Sequence, residues 1–346
     1  MPQLPGAWHA RRFGRAVAGV VRRRSPRGVV LLYHRVAGPR RDPQGLDVSP
    51  RNFDAQLASL AGGAVPLPLD EFEARRQAGT LPARAVAVTF DDGYADNLLA
   101  AAPILARHRV SATVFVTAGM VGANREFWWD DVERIAFAPE PLGENLPELA
   151  LPWSEADGSS CAPDGDRDRW TMLDPVDPTA RHRLYRAMCA VLYGLHAEAR
   201  EASLAEWRSW AGVPDAARAS HRTVTLDELR ALAGAGGISI GAHTMTHPVL
   251  ARLAPEDQHR ELEESRTWLA RALERPVSSV AYPFGTRAEV SRATTHAARD
   301  AGFDFAMANE PGTAWRWSSR WRVPRVLVRD WDAETFERKI DAWLTD

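Results

Sequence analysis

AVAVTFDDGYADNLLAAAPILARHRVSATVFVTA, residues 85–118, is the stretch on which the fold turns. Ala85 to Phe90 is a short apolar run of strand length, Leu98 to His108 reads as a helix, and Ser111 to Ala118 is a second strand rich in β-branched residues. Strand, helix and strand in that order make a βαβ unit, whose crossover sets the two strands parallel.

The same alternation extends outward. Upstream, Val29 to Val36 is an apolar run, and Ser49-Pro50 supplies a cap and first-turn proline for a helix with Phe53, Leu57 and Leu60 on one face. From Asn124 to about Arg222 the rhythm is lost. Proline, glycine and acidic residues gather between Pro139 and Pro178 before helical spacing resumes at Leu184, Met188 and Leu192, so 124–222 reads as an insertion. Thr225 and Glu228 then form a capping box, Gly237 to His243 reads as a strand, and a long helix covers roughly Pro255 to Glu274. Strands at Val277–Tyr282, Phe303–Ala308 and Arg322–Val328 follow, with helices at Ala288–Ala301 and Ala333–Leu344. The chain is thus α/β, and the count suits a (β/α) barrel, closed or incomplete.

The 346 residues, 45% hydrophobic and 25% charged, have ample apolar material for a large core. A formal net charge of −2 gives no polyanion-binding field, which argues against a nucleic-acid partner. Cys161 and Cys189 match no zinc or redox spacing and read as a free, reduced pair. Residues 1–27 form a basic leader, with Arg11, Arg12, Arg15, Arg22, Arg23 and Arg24 around Ala16 to Val21, an apolar stretch too short for a secretory segment. The expectation is no cleaved signal and no membrane span, hence a cytoplasmic or peripheral-membrane location. The leader reads as a solvated arginine-rich segment or as a basic helix resting weakly on an anionic membrane surface.

The chemistry gathers at strand ends. Thr89-Phe90-Asp91-Asp92-Gly93 places two adjacent carboxylates at the C-terminal end of a parallel strand, where barrel active sites are built. Neighbouring side chains on a strand point oppositely, so one carboxylate suits a metal and the other a proton. Alone, the pentapeptide reads equally as an Asp-Gly turn with a helix N-cap. His243-Thr244-Met245-Thr246-His247 tips the balance, because two histidines four residues apart, past another strand end, converge on one ion if a helical turn lies between them. With Asp92 they make a two-histidine, one-carboxylate set with open positions, which implies catalysis rather than scaffolding.

These residues resemble the NodB-like polysaccharide deacetylases of carbohydrate esterase family 4. The family's first motif is similar to Thr89–Gly93, and its second, His-Ser/Thr-x-x-His, matches His243 to His247 without a gap. The resemblance runs from about Val29 to Leu344, with 124–222 as an insertion, and implies a distorted (β/α)7 barrel over residues 28–346. It implies hydrolysis of N-acetyl groups from an amino-sugar polymer or oligosaccharide, with Asp91 as general base. Asp92, His243 and His247 would hold a divalent metal, Zn2+ first, with Co2+, Ni2+ or Fe2+ also suited.

Two departures stand out. The family's Arg-x-Pro-Tyr motif looks like Ala281-Tyr282-Pro283-Phe284 here, so the arginine that orients the base is absent at 281, and Arg325 in Pro324-Arg325-Val326 is a candidate replacement. By the same resemblance Phe284 offers a backbone N–H to an oxyanion, while Tyr282 to Phe284 also read as simple barrel packing. The C-terminal Leu-x-His that supplies the general acid is missing, and Leu31-Leu32-Tyr33-His34 occurs instead at the end of the first strand. This is similar to the circularly permuted branch, the poly-N-acetylglucosamine deacetylases, and it implies His34 as general acid; the other reading is a buried structural histidine.

The 124–222 segment carries Trp128, Trp129, Trp153, Trp170, Trp207 and Trp210. Trp207 and Trp210, at helical spacing, read as core; Trp128 and Trp129 are candidates for stacking on sugar. Two rival readings remain: a metal amidohydrolase of the same fold acting on a lipid-linked sugar or cyclic imide, and a catalytically inactive sugar-binding protein.

Overall fold

The computed structural model describes residues 26–38, 41–139, 141–142 and 167–345. The arginines of residues 11–24, together with Trp153 and Cys161, lie outside them. Eleven strands are described: β1 Arg27–Tyr33, β2 Arg35–Val36, β3 Asp47–Val48, β4 Val65–Pro66, β5 Ala85–Phe90, β6 Ala112–Val116, β7 Ile238–Ala242, β8 Ser279–Ala281, β9 Phe305–Met307, β10 Ala314–Trp315 and β11 Val326–Leu327. The α-helices are α1 Pro50–Gly63, α2 Leu69–Ala78, α3 Ala102–His108, α4 Trp128–Ala136, α5 Ala180–Tyr193, α6 Ala197–Trp210, α7 Leu226–Gly234, α8 Pro255–Leu273, α9 Arg292–Asp300 and α10 Ala333–Thr345.

The βαβ unit read from residues 85–118 is present as β5, α3 and β6, with one π-type turn over Asn97–Ala101 leading into α3. Its sheet continues in the order β10-β1-β5-β6-β7-β8-β9, and the neighbours from β1 through β9 are all parallel. The sheet curls. Met307 on β9 pairs with Val323, and Val326 on β11 pairs with Leu31 on β1, so the segment after Arg320 bridges the last strand to the first. The result is the distorted parallel barrel, with helices around it, that the motifs imply.

Alternation on β5 separates two apolar clusters. Val86, Val88 and Phe90 face outward to α1, α3 and their neighbours, while Ala85 and Ala87 face the interior with Val30, Phe115, Ala281 and Met307. Small residues on β5, β7 and β8 make room for the Phe115 ring. A Cβ on Gly241 would stand 2.4 Å from two of its atoms. Helix α1 begins at Ser49, whose Oγ accepts the Asn52 N–H at 3.3 Å, and α7 begins with the capping box of Thr225 and Glu228.

Several elements differ from the sequence reading. The run Val29 to Val36 breaks at His34, because β2 leaves the barrel to pair with β3. Helix α9 starts at Arg292 rather than 288, where Ser291 caps it with Thr294. Helix α2 escaped notice, since polar residues fill most of its exposed turns and its buried Glu73 and Arg76 pair with each other at 2.6 Å. Within 124–222, α4, α5 and α6 pack on one another around Trp129, Tyr185, Met188 and Trp207, which form a second core beside the barrel.

Substituting Gly241→Ala should cost about 1–3 kcal/mol through overpacking against Phe115. Urea unfolding should show a lower midpoint with an unchanged slope; an unmoved midpoint would mean that the ring yields without strain.

Candidate metal centre and catalytic surroundings

Asp91 continues the inward-facing side of β5, one step beyond its last residue. There it meets Arg325, whose Nη1 and Nη2 donate to the two carboxylate oxygens at 2.7 Å each. The guanidinium also donates through Nη1 to Thr89 Oγ1 at 3.3 Å and through Nε to the Ala308 carbonyl at 3.0 Å. Arg325 is fully buried and Asp91 nearly so. Burial pushes the Asp91 carboxyl up, but the charges of Arg325 and His243 outweigh it and hold the group below its ordinary value. The cation absent at Ala281 is therefore supplied from the β9–β11 bridge.

Asp92 would face outward if the strand simply continued. Its φ of +75° swings the side chain back to the barrel mouth, a conformation aspartate tolerates better than most residues, and Gly93 follows with φ +83°. Asp92 Oδ1 lies 3.5 Å from His243 Nε2 and 3.4 Å from His247 Nε2, with all three side chains buried. Two ligands about 2.1 Å from one ion at a tetrahedral angle stand roughly 3.4 Å apart, so these spacings fit a shared divalent ion. Neither Asp92 oxygen has a hydrogen-bond partner among the described residues. His243 Nδ1 is 2.8 Å from the Ala281 carbonyl, which fixes the ring with Nε2 toward Asp92. Burial pushes His247 down to about 4, leaving the neutral ring that a metal ligand requires. Among the described residues these three form one group able to hold a metal.

The expected helical turn between the two histidines does not form. Thr244 and His247 take φ of +64° and +56°, and these two left-handed residues fold the loop back. Thr244 Oγ1 braces it, donating to the His243 carbonyl at 2.5 Å and accepting the His247 N–H at 3.1 Å.

His34 stands where β1 ends, partly exposed, in the field of Asp92, Asp91 and Arg325. Burial pushes its imidazole below the ordinary value against the pull of both carboxylates. Its Nδ1 has no partner among the described residues, and its carbonyl accepts from Asn97 Nδ2 at 2.9 Å. Phe284 has φ +59°, and its ring edges onto His247 at 5.0 Å between centroids. Its N–H donates no hydrogen bond among the described residues.

Three sequence candidates take other places. Tyr282 is buried, and its hydroxyl donates to the Trp321 carbonyl at 3.1 Å, so it packs the barrel. Trp128 and Trp129 are only 7% and 5% exposed and present no free face to a sugar. Trp129 is tied through Nε1 to Tyr94 Oη at 2.9 Å, stacks on Phe127 at 4.7 Å and stands edge-on to His247 at 5.0 Å. Burial of the wide apolar faces in the second core outweighs any role at the surface. Trp207 is fully buried there, as helical spacing indicated.

Two clefts are found away from the centre itself, neither lined by Asp91, Asp92, His243 or His247. One of about 390 Å³ lies beside His247 between the Tyr193–Glu198 turn and Thr246, Arg252 and Glu261. The other, about 460 Å³, lies beyond the end of β1 among Ala37, Asp42, Asp47, Arg329 and Asp330.

The family model described as polysaccharide deacetylase matches residues 78–143 and 204–306, the intervals that carry Asp91, Asp92, His243 and His247. The chain carries a polysaccharide deacetylase domain. The unmatched residues 144–203 fall within the interrupted segment that builds the second core. The polysaccharide deacetylase homologue YxkH of Bacillus subtilis (strain 168) is 30% identical over 92 residues, which is 27% of this chain and 32% of that protein. The match thus spans about a third of that curated relative. Three solved structures share the fold: the Streptococcus pyogenes deacetylase PplD in complex with acetate (TM-score 0.57, 18% identity, 91% of this chain and 99% of that one), IcaB from Ammonifex degensii (0.56, 19%, 92% and 97%), and a de-N-acetylase from Aggregatibacter actinomycetemcomitans (0.53, 15%, 91% and 100%).

In this protein, Arg325→Met would leave the Asp91 charge buried without its partner, a loss of about 3–5 kcal/mol. Chemical denaturation should show it, and a loss below 1 kcal/mol would mean that water or another cation reaches Asp91.

Proposed function

We propose that the chain is a metal-dependent hydrolase that removes N-acetyl groups from an amino-sugar polymer or oligosaccharide. The observation that carries this reading is the pairing of an oriented, ionised Asp91 with the Asp92, His243 and His247 group at one barrel mouth. A divalent ion, Zn2+ by donor chemistry and Co2+, Ni2+ or Fe2+ as the other fits, supplies Lewis-acid activation of the acyl carbonyl and of water when bound.

The protein's own residues then divide the proton work. Asp91, fixed by two hydrogen bonds from Arg325, takes a proton from the attacking water as its oxygen bonds to the acyl carbon. The Phe284 N–H is the candidate donor to the developing oxyanion. His34 gives a proton to the sugar nitrogen as the C–N bond breaks, so that a neutral amine leaves rather than an anion. Acetate and a free amino sugar are the products.

The test is acetate release from N-acetylglucosamine oligomers by purified protein, with and without chelator and added metal. Chelator-sensitive release is expected, while bound metal with no release from any oligomer would move the reading to another acylated substrate or to sugar binding. Asp91→Asn should keep metal and lose about 10²–10⁴-fold in turnover, whereas His247→Ala should lose the metal itself; an Asp91→Asn protein at full rate would remove Asp91 from the role of base.

A further inference from the structure

The loop from His243 to His247 carries two ligands on a backbone that two left-handed residues bend and that Thr244 Oγ1 braces from within. Further restraint comes from outside. Glu261, on α8, accepts the N–H groups of Met245 and Thr246 on a single oxygen, Oε2, at 2.8 and 2.9 Å. Its Oε1 accepts the Thr246 hydroxyl at 2.6 Å. All three donors belong to the residues between the histidines. Arg200 on α6 donates through Nη2 to the Thr246 carbonyl at 3.1 Å. Arg200 is 8% exposed and, among the described residues, forms no ion pair at contact distance, so its buried guanidinium is committed to one carbonyl of this loop.

We propose that Glu261 and Arg200 are positioning residues for the metal centre, holding the loop by the Thr246 N–H and the Thr246 carbonyl so that His247 Nε2 stays in register with His243 and Asp92. The inference rests on the metal-binding reading of those three side chains. Its chemistry is that of an outer-shell carboxylate: charge-assisted hydrogen bonds fix the backbone, and the backbone fixes the ligand. It also gives the interrupted segment a task, since Arg200 comes from α6 and the Trp129 ring that backs His247 comes from α4.

The experiment is titration of the full chain, stripped of metal, with Co2+ and Zn2+ in competition with a chromophoric chelator, together with the visible absorption of the Co2+ form and melting curves with and without ion. Glu261→Ala should bind either ion ten- to a hundredfold more weakly, the range for loss of an outer-shell partner. Its melting temperature should rise less on adding metal than that of the wild type. Glu261→Gln should stay within about threefold, because its amide oxygen still accepts both N–H groups. Arg200→Met should weaken binding several-fold, with an altered Co2+ spectrum.

A folded Glu261→Ala protein with wild-type affinity and spectrum would overturn the proposal. If that variant does not fold, Arg200→Met and Thr246→Val decide, and wild-type affinity in both would overturn it equally. A wild-type protein that binds neither ion would sink the metal reading itself, an outcome distinct from one in which only the variants fail to respond.

Discussion

A carboxylate and a guanidinium locked together inside a barrel are the constraint around which the rest is arranged. Separately, either charge would be intolerable at the depth of Asp91 and Arg325; together, with Thr89 and the Ala308 carbonyl taking remaining donors, they satisfy one another. The pair dictates its surroundings. The bridge from β9 to β11 must follow one path to deliver Arg325, and position 281 is left small. Its carbonyl then serves a second purpose by fixing His243. The two ends of the candidate chemistry, base and ligand, are thus set by adjacent pieces of one sheet.

Backbone conformation does the rest of the sorting. Asp91 and Asp92 are neighbours, yet one lies in the interior against a cation and the other at the mouth against two imidazoles. A single left-handed residue accomplishes this separation. The same device recurs at Thr244, His247 and Phe284, all around the same few ångströms of the mouth, while the strands beneath remain regular. Strain of this kind concentrates where function requires geometry that sterics disfavour.

Much of this was legible in the residues. The βαβ unit of 85–118, the strand ends bearing Asp91, Asp92 and His243, and the capping residues at Ser49 and Thr225 are local patterns that the fold keeps. Arg325 could be suspected because a motif lacked its cation, but only the path of the chain brings it to Asp91 across more than two hundred residues. The loop between the histidines misled for a physical reason: spacing of four suggests a helical turn, whereas here positive φ values and Glu261 do the turning. Trp128 and Trp129 misled because a large aromatic near a strand end suits a sugar and a core equally, and the helical spacing at Leu184, Met188, Leu192 and Trp207 announced buried helix faces without showing that these two rings join them. Helix α2 was hidden by its buried Glu73–Arg76 pair, polar residues standing where apolar ones were sought.

The separation of Asp91 from Arg325 along the chain, 234 residues, bears on how the protein is made. A ribosome adding about 5–20 residues per second needs roughly ten to fifty seconds to pass from one to the other. Throughout that interval β1, β5 and β6 can form, but the barrel has an open seam and an aspartate facing it with no counter-charge. The nascent chain can therefore keep Asp91 hydrated until Arg325 emerges, and the closing of the seam and the burial of the charge pair become one event.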